Sequence, residues 1–175
     1  SNRNIWIRRN TINKFGGEII LRPRQFCNLS QAILREDDTE ETVREKIKLA
    51  AIIGTIQSSL THFPGLHPDF KKNAEEERLL GVSLSGISDC RVIDNPEFLE
   101  ELRQIVIDTN AVWAKKLKIK KSVSTTCIKP DGNTSVLYNT APGLHPRFSK
   151  FYIRRIRLQF KNPVAQWLLS NGIPA

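Results

Sequence analysis

Apolar positions along the chain switch between short β-branched runs and longer stretches with helical spacing. Residues 19–29, IILRPRQFCNL, read as extended chain, with Pro23 marking an edge or a break. The polar segment DDTEET then supplies a helix start. Asp38 or Thr39 can cap it, and Glu40 and Glu41 suit the positive helix end. The spacing of Val43, Ile47 and Ala50 predicts a helix over 40–60. Almost every residue from 49 to 56 is apolar or small, which predicts burial on most sides of that helix. FPGLHP (63–68) ends it, and a charged helix over 69–80 follows.

GVSLSGI (81–87) reads as a short buried strand whose small residues suit close packing or close approach of a ligand. Asn95 and Pro96 open the next helix as cap and first position. Phe98, Leu102, Ile105, Val106, Thr109, Val112 and Trp113 keep helical spacing to about residue 117. VSTTCI (123–128) reads as a strand by its β-branched content, and a polar turn leads to a short helix over 135–139. APGLHPRF reads as a loop and FYIRRIRLQF as extended or irregular chain. NPVAQWLLSNG closes as a capped helix. Strands alternating with helices predict an α/β protein with parallel strands. Three or four strands are few for helices this long. PGLHP occurs at 64–68 and at 142–146, but the flanks share nothing else, so it is not a repeat.

Composition narrows the class. The chain has 175 residues, enough for one domain, with 39% hydrophobic and 26% charged residues, as in a water-soluble globular protein. No apolar run is long enough to span a bilayer, and residues 1–10 lack the apolar core of a secretory signal. Three scattered cysteines and three scattered histidines argue against a disulfide framework and against zinc. A reducing cytoplasm is the expected compartment. The net charge of +9 gathers at residues 3–9, 115–121 and 154–157. It is either ordinary solvated surface or an attraction for a polyanion or phosphorylated small molecules. Phe151 and Tyr152 beside the last cluster keep nucleic acid in view, although no RNA- or DNA-binding signature accompanies them.

The candidate chemistry centres on TTCIKPDGNTSVLYN (125–139). A strand, a glycine-containing turn and a helix start make the arrangement in which backbone N–H groups hold an anion. Gly132, Asn133, Thr134 and Ser135 are the candidate phosphate-binding residues. The same pattern also describes a plain capped turn, and the charge of Asp131 opposes phosphate. Glu18 follows two glycines and precedes an apolar strand, where a carboxylate can act as a general base or simply face solvent. Cys27 lies in an apolar context that equally suits inert packing.

GGEIILRPRQFCNLSQAILREDDT, AAIIGTIQSSLTHF, EEERLLGVSLSGISD, TCIKPDGNTS and APGLHPRFSKFYIRRIR together resemble the adenosylcobalamin-dependent (class II) ribonucleotide reductases, in the family's order, from about Asn13 to Gly172. The resemblance implies a ten-stranded α/β barrel pierced by a finger loop, of which this chain is one later section. It places the finger loop at about 12–18 and the substrate phosphate loop at about 129–135, within a single fragment, 1–175. It implies reduction of the ribose 2′-hydroxyl of a ribonucleotide by radical chemistry. Adenosylcobalamin is the implied cofactor. The implied partners are the missing section of the reductase chain and a thioredoxin-like reductant.

By the same resemblance, Glu18 falls on the base toward the ribose hydroxyl, and Asn13 on the finger-loop asparagine if one residue is inserted. The radical cysteine falls on Gly16. Cys27 falls on one member of the reducing cysteine pair, whose other member lies upstream. In the phosphate loop Asp131 replaces a serine and Asn133 a threonine, while Gly132 and Ser135 are retained. The resemblance implies that Glu18, Cys27 and the 132–135 turn converge at the C-terminal ends of the strands. Three readings follow: a reductase section active only when assembled, a non-catalytic relic of one, or a basic nucleotide- or nucleic-acid-binding module on the same scaffold.

Overall fold

The computed structural model describes residues 13–15, 19–129, 131–153, 155 and 157–173. Their centre is a parallel strand pair, β3 (Asn28–Ile33) and β4 (Leu80–Ser85), in register from Asn28 opposite Leu80 to Ile33 opposite Ser85. Before it, β1 (Asn13–Phe15) and β2 (Ile19–Leu21) form an antiparallel pair. The extended run expected over 19–29 is therefore two pieces. The break falls where Pro23 placed it, at a turn in which Arg24 takes a left-handed φ of 58°. Gln25 accepts from the Arg22 amide at 2.7 Å and donates to buried Glu77 at 2.6 Å, which pins the turn to the segment leading into β4.

Helix α1 (Glu40–Ser58) begins at Thr39. Thr39 and Thr42 each accept the other's backbone N–H, satisfying two amide donors that a helix start leaves open. Asp38 is an anchor beside the cap. It accepts from the Arg35 amide and from Lys46, whose ammonium also reaches the Ile33 carbonyl at the end of β3. The buried face of α1 runs through Val43, Ile47, Ala50, Ala51, Gly54 and Thr55. Its small residues let the helix lie close to the sheet: Ser30 Oγ donates to the Ala50 carbonyl at 2.8 Å. The expectation of burial on most sides is not met. Leu49, Ile53, Ile56 and Leu60, spaced four, three and four apart, are exposed. With one sheet and one neighbouring helix, α3, against it, α1 has only one side covered.

Helix α2 (Pro68–Glu77) is capped by His67, and α3 (Pro96–Lys116) by Asn95, whose side chain accepts from the Glu97 amide at 2.9 Å. α3 buries Phe98, Leu102 and Val106 in the same core as Leu34, Val43, Ile47, Leu80 and Val82. Buried Asn110 donates to Thr55 and Ser122 and accepts the Ser122 amide, joining α3 to α1 and to the chain that returns to the sheet.

That returning chain, expected as a strand over 123–128, runs parallel to β4 but forms only one bridge, Val82 with Thr126. Leu80 and Val82, two residues apart, donate to Ser124 and Thr125, one residue apart. The two backbones thus fall out of step, and a regular ladder cannot continue. Two short helices complete the chain, α4 (Asn133–Leu137) and α5 (Pro163–Ser170). The described residues between them form no helix or strand, and Phe148, Phe151 and Ile153 are strongly exposed.

Gly86 closes β4 with a φ of 80°, and a Cβ there would collide with the Leu34 carbonyl. Gly86→Ala should therefore lower unfolding free energy by about 2 kcal/mol or more, from the left-handed backbone plus the clash. Chemical denaturation measures this, and a loss below about 0.5 kcal/mol would mean that the turn relaxes freely.

Candidate active site

The C-terminal half of β4 carries two serines, Ser83 and Ser85, both fully buried. Burial takes both hydroxyls away from water, so each must find a partner. Ser83 Oγ accepts the Lys129 amide at 2.9 Å. Ser85 Oγ donates to Asp131 and lies 3.4 Å from both the Ala141 carbonyl and the Gly143 amide. The Gly86 amide reaches the Ala141 carbonyl at 2.8 Å. The whole excursion from 129 to 143 is thus hung from the end of one strand.

Asp131 is the inward-facing member of that excursion. Only 4% of it is exposed, and its φ is 21°. One carboxylate oxygen accepts from Ser85 and from Gln31 Nε2, the latter at 2.7 Å; the other has no hydrogen-bond partner among the described residues. Its side chain therefore points into the fold, and the 132–135 turn lies on the outside of the same bend. Ser135 is buried, with Oγ donating to the Gly132 carbonyl at 3.0 Å, while Asn133 is exposed and Thr134 half-buried. Gly132 has an ordinary φ of −78°, and a Cβ on it would meet nothing within 4 Å. Beside the turn lies an open hollow of about 670 Å³, lined by Gly132, Ser135, His145, Arg147, Phe148 and Tyr152 among others.

A second anchor holds the far side of the hollow. Asp89 follows β4 in a 3₁₀ turn, Ile87–Asp89, and its carboxylate takes Arg147 Nε and Nη2 at 3.1 and 3.0 Å. It also accepts the Ala141 amide at 2.7 Å and the Thr140 hydroxyl at 3.2 Å. Burial would raise its pKa, but the Arg147 guanidinium and the donated hydrogen bonds outweigh it and hold Asp89 below the usual carboxylate range. Arg147 goes on to bind Asn139 through both its side chain and its carbonyl.

Of the residues singled out from sequence, the structure brings together Gly132, Asn133, Thr134 and Ser135 in one turn at the C-terminal end of β4. Cys27 is elsewhere. It precedes β3 and lies against Gly81 near the start of β4, where a Cβ would fall 3.3 Å from its sulfur and 2.8 Å from that of Cys127. At about 3.3 Å per residue, that is roughly 13 Å along the strand from Ser85. The expected convergence of Cys27 with the turn is thus not found, because Cys27 lies at the start of the parallel β3–β4 pair and the turn hangs from its C-terminal end. Burial, and then the nearby Cys127, push the Cys27 thiol up to about 12, which keeps it protonated at neutral pH. Asn13 lies in β1, paired with Leu21. Glu18 and Gly16 lie outside the described residues.

Sequence reasoning missed Gln31, Ser83, Ser85, Asp89 and Arg147. The last four sit inside two of the matched stretches, EEERLLGVSLSGISD and APGLHPRFSKFYIRRIR. Nothing in their spacing announces a pairing across 58 residues. Among the described residues no group of three or more His, Cys, Asp or Glu can hold a metal ion, and no helix is long and apolar enough to cross a membrane.

A parallel α/β core with its loops hung from the C-terminal strand end has a counterpart among solved structures. The fold matches part of a B12-dependent (class II) ribonucleotide reductase with a TM-score of 0.60 and 23% identity, over 74% of this chain and 22% of that one. The sequence is similar to a probable adenosylcobalamin-dependent ribonucleoside-triphosphate reductase of Dictyostelium discoideum, 27% identical over 89% of this chain and 21% of the relative. The corresponding reductase of Lactobacillus gasseri is also 27% identical, over 89% of this chain and 25% of its own length. That of Euglena gracilis is 31% identical over 54% of this chain. No protein-family model matches. The resemblance read from the sequence is borne out: the chain is related to the adenosylcobalamin-dependent ribonucleotide reductases and corresponds to one section of their chain. It spans about a fifth to a quarter of the length of these Dictyostelium and Lactobacillus relatives.

Asp89 gives the site a pH signature. Its folded pKa lies below the ordinary value of 3.8, so its stabilisation is present above that value and is lost as pH falls through the folded one. Asp89→Asn should cost about 1 kcal/mol at pH 7, allowing for the exposed side of Arg147, and should make the fall in melting temperature below about pH 4 shallower than in the unaltered chain. Parallel acid-side slopes would show that the Asp89–Arg147 contact is not formed in solution.

Proposed function

We propose that this chain is a section of the catalytic barrel of a ribonucleotide reductase, and that its 132–135 turn is the seat of the substrate's phosphates. The observation that carries the reading is Gly132. Neither its backbone angle nor its surroundings demand glycine. A bare backbone beside an open hollow suits the approach of a ligand. Asp131, whose charge opposes phosphate on sequence grounds, is turned inward onto Ser85 and Gln31, which spares the outer face of the turn. The reaction class is reduction of a ribonucleotide to a deoxyribonucleotide. The relatives' names make the triphosphate the first substrate to test. In this reading the rest of the ten-stranded barrel covers the exposed Leu49, Ile53 and Ile56 ridge of α1 and Leu60 just beyond its end. A cytoplasmic thioredoxin-like protein supplies the reducing electrons.

The relatives are adenosylcobalamin-dependent by name, and the assembled enzyme takes that cofactor in this reading. Its chemistry there is to generate a radical. The residues present do not fit the receiving end. Position 16, where the resemblance puts the radical thiol, is glycine, and Cys27 is half-buried, protonated and distant from the turn. No step is therefore routed through the cofactor on this chain. What remains to its own residues is binding and orientation. The 132–135 amides and the Thr134 hydroxyl hold phosphate, Asp89 and Arg147 fix the wall of the hollow, and Glu18 stands as the candidate base toward the ribose hydroxyl. Asn13 accompanies Glu18 as a finger-loop residue.

Two outcomes test this. The purified chain, given ribonucleoside triphosphate, adenosylcobalamin and a dithiol, should form no deoxynucleotide; turnover by the unaltered chain would overthrow the reading of Gly16. Gly132→Val should leave the melting temperature within about 2 °C and weaken triphosphate binding at least tenfold. Binding should be read from the amide resonances of residues 132–135. Unchanged binding at those amides would mean the phosphate seat lies elsewhere.

A further inference from the structure

The basic run at 115–121 has no part in the site above. It leaves α3 at Lys116, and Lys118 turns the chain with a left-handed φ of 56°. The 118–120 turn then faces α2 across an open cleft of about 670 Å³. Lys71, Lys72, Lys118 and Lys120 line it, together with Arg78, the residue that caps α2 in a left-handed conformation. Arg78 is only 9% exposed; its Nη1 donates to the Ser58 carbonyl at 2.6 Å, and its Nε has no hydrogen-bond partner. The cleft lies at the N-terminal end of β4, which begins two residues after Arg78, whereas the 132–135 turn hangs from the C-terminal end.

Five cations around one hollow repel one another, so the local compensation decides whether a ligand is called for. Two carboxylates line the cleft. Glu75 accepts from Thr61 at 3.0 Å and stands 3.9 Å from Lys71, and Glu76 pairs with Arg22 at 3.1 Å. The carboxyl ends of α2 and α3 also point this way, each worth about half a negative charge. Against five cations these leave a surplus of about two positive charges in a single concavity. Lys118 and Lys120 have no carboxylate within ion-pair distance among the described residues. Lysines converging from two elements suit an anion carrying several charges. Among the described residues no aromatic side chain lines the cleft to stack a base, which argues against single-stranded nucleic acid.

We propose that this cleft binds a polyphosphate anion, the di- or triphosphate part of a small molecule, at a site separate from the 132–135 turn. Arg78 forms its fixed floor, and Lys72, Lys118 and Lys120 supply the mobile contacts.

The probe is inorganic tripolyphosphate, titrated into the purified 175-residue chain at low ionic strength and followed by calorimetry and by the amide resonances of residues 118–123. Saturable binding with shifts at those amides is expected, weakened at least tenfold in the Lys118→Ala/Lys120→Ala double variant and unchanged in Lys48→Ala/Lys150→Ala. Added salt should weaken it steeply. Absent binding, or equal affinity in the first double variant, overturns the site. Tighter binding of a 20-nucleotide single strand through the same lysines overturns the small-anion assignment. Gly132→Val should leave these shifts intact, so failure here and failure of the phosphate seat are read at different amides.

Discussion

Strand β4 has no exposed residue, and that constraint shapes everything around it. Its edges are occupied by β3 on one side and by the returning 124–127 chain on the other. Its two faces are closed partly by α1 and the core that α1 shares with α3, and partly by Cys27, Leu29 and Cys127 packed over Gly81. A strand enclosed in this way is expected to be continuously apolar. This one alternates Leu80, Val82 and Leu84 with Gly81, Ser83 and Ser85. The apolar set faces the helices and enters the core. The small set makes a face on which other parts of the chain can lie directly, and its two hydroxyls must be satisfied by whatever comes near.

What comes near is the 129–143 excursion, and the hydroxyls decide its shape. Ser83 takes an amide before the turn; Ser85 takes the Asp131 carboxylate and stands close to the chain after it. A buried carboxylate with so few donors is costly, yet its position lets the outer face of the turn present backbone and hydroxyl groups instead of a negative charge. The Asp89–Arg147 contact closes the other side. The course of the chain at the strand end thus rests on polar groups buried in the sheet. The thiol chemistry that the sequence resemblance implies for Cys27 has no such support, because that sulfur packs half-buried against Gly81 and is held protonated.

Much of this was legible in the sequence where local chemistry is decisive. Thr39 and Asn95 announced two helices within a residue or two, because caps act on their own helix. GVSLSG announced a buried strand, since no other element tolerates so many small residues without a turn signal. Pro23 announced a break but not the antiparallel β1–β2 pairing, which depends on partners four to eight residues away. Residues 123–128 have strand composition, but the slip between Leu80 and Val82 and their acceptors is a tertiary event with no sequence mark. Leu49, Ile53 and Ile56 read as core because hydrophobicity records what a residue prefers to bury against, not whether that surface is present. The 132–135 turn was found by its residues, and its supports were not: Asp89 with Arg147, and Ser85 with Asp131, join positions far apart in the chain.

Hydrogen exchange on Ser85→Ala tests the central dependence most directly. Removing one hydroxyl from the end of β4 should release the excursion without melting the sheet. Protection should fall at least tenfold at Gly86, Thr140 and Gly143, while the amides of Val82, bonded to Thr125, and of Asn28, bonded to Leu79, keep theirs. Uniform loss across the strands, or unchanged protection at Gly86 and Gly143, would contradict a turn hung from the hydroxyls of β4.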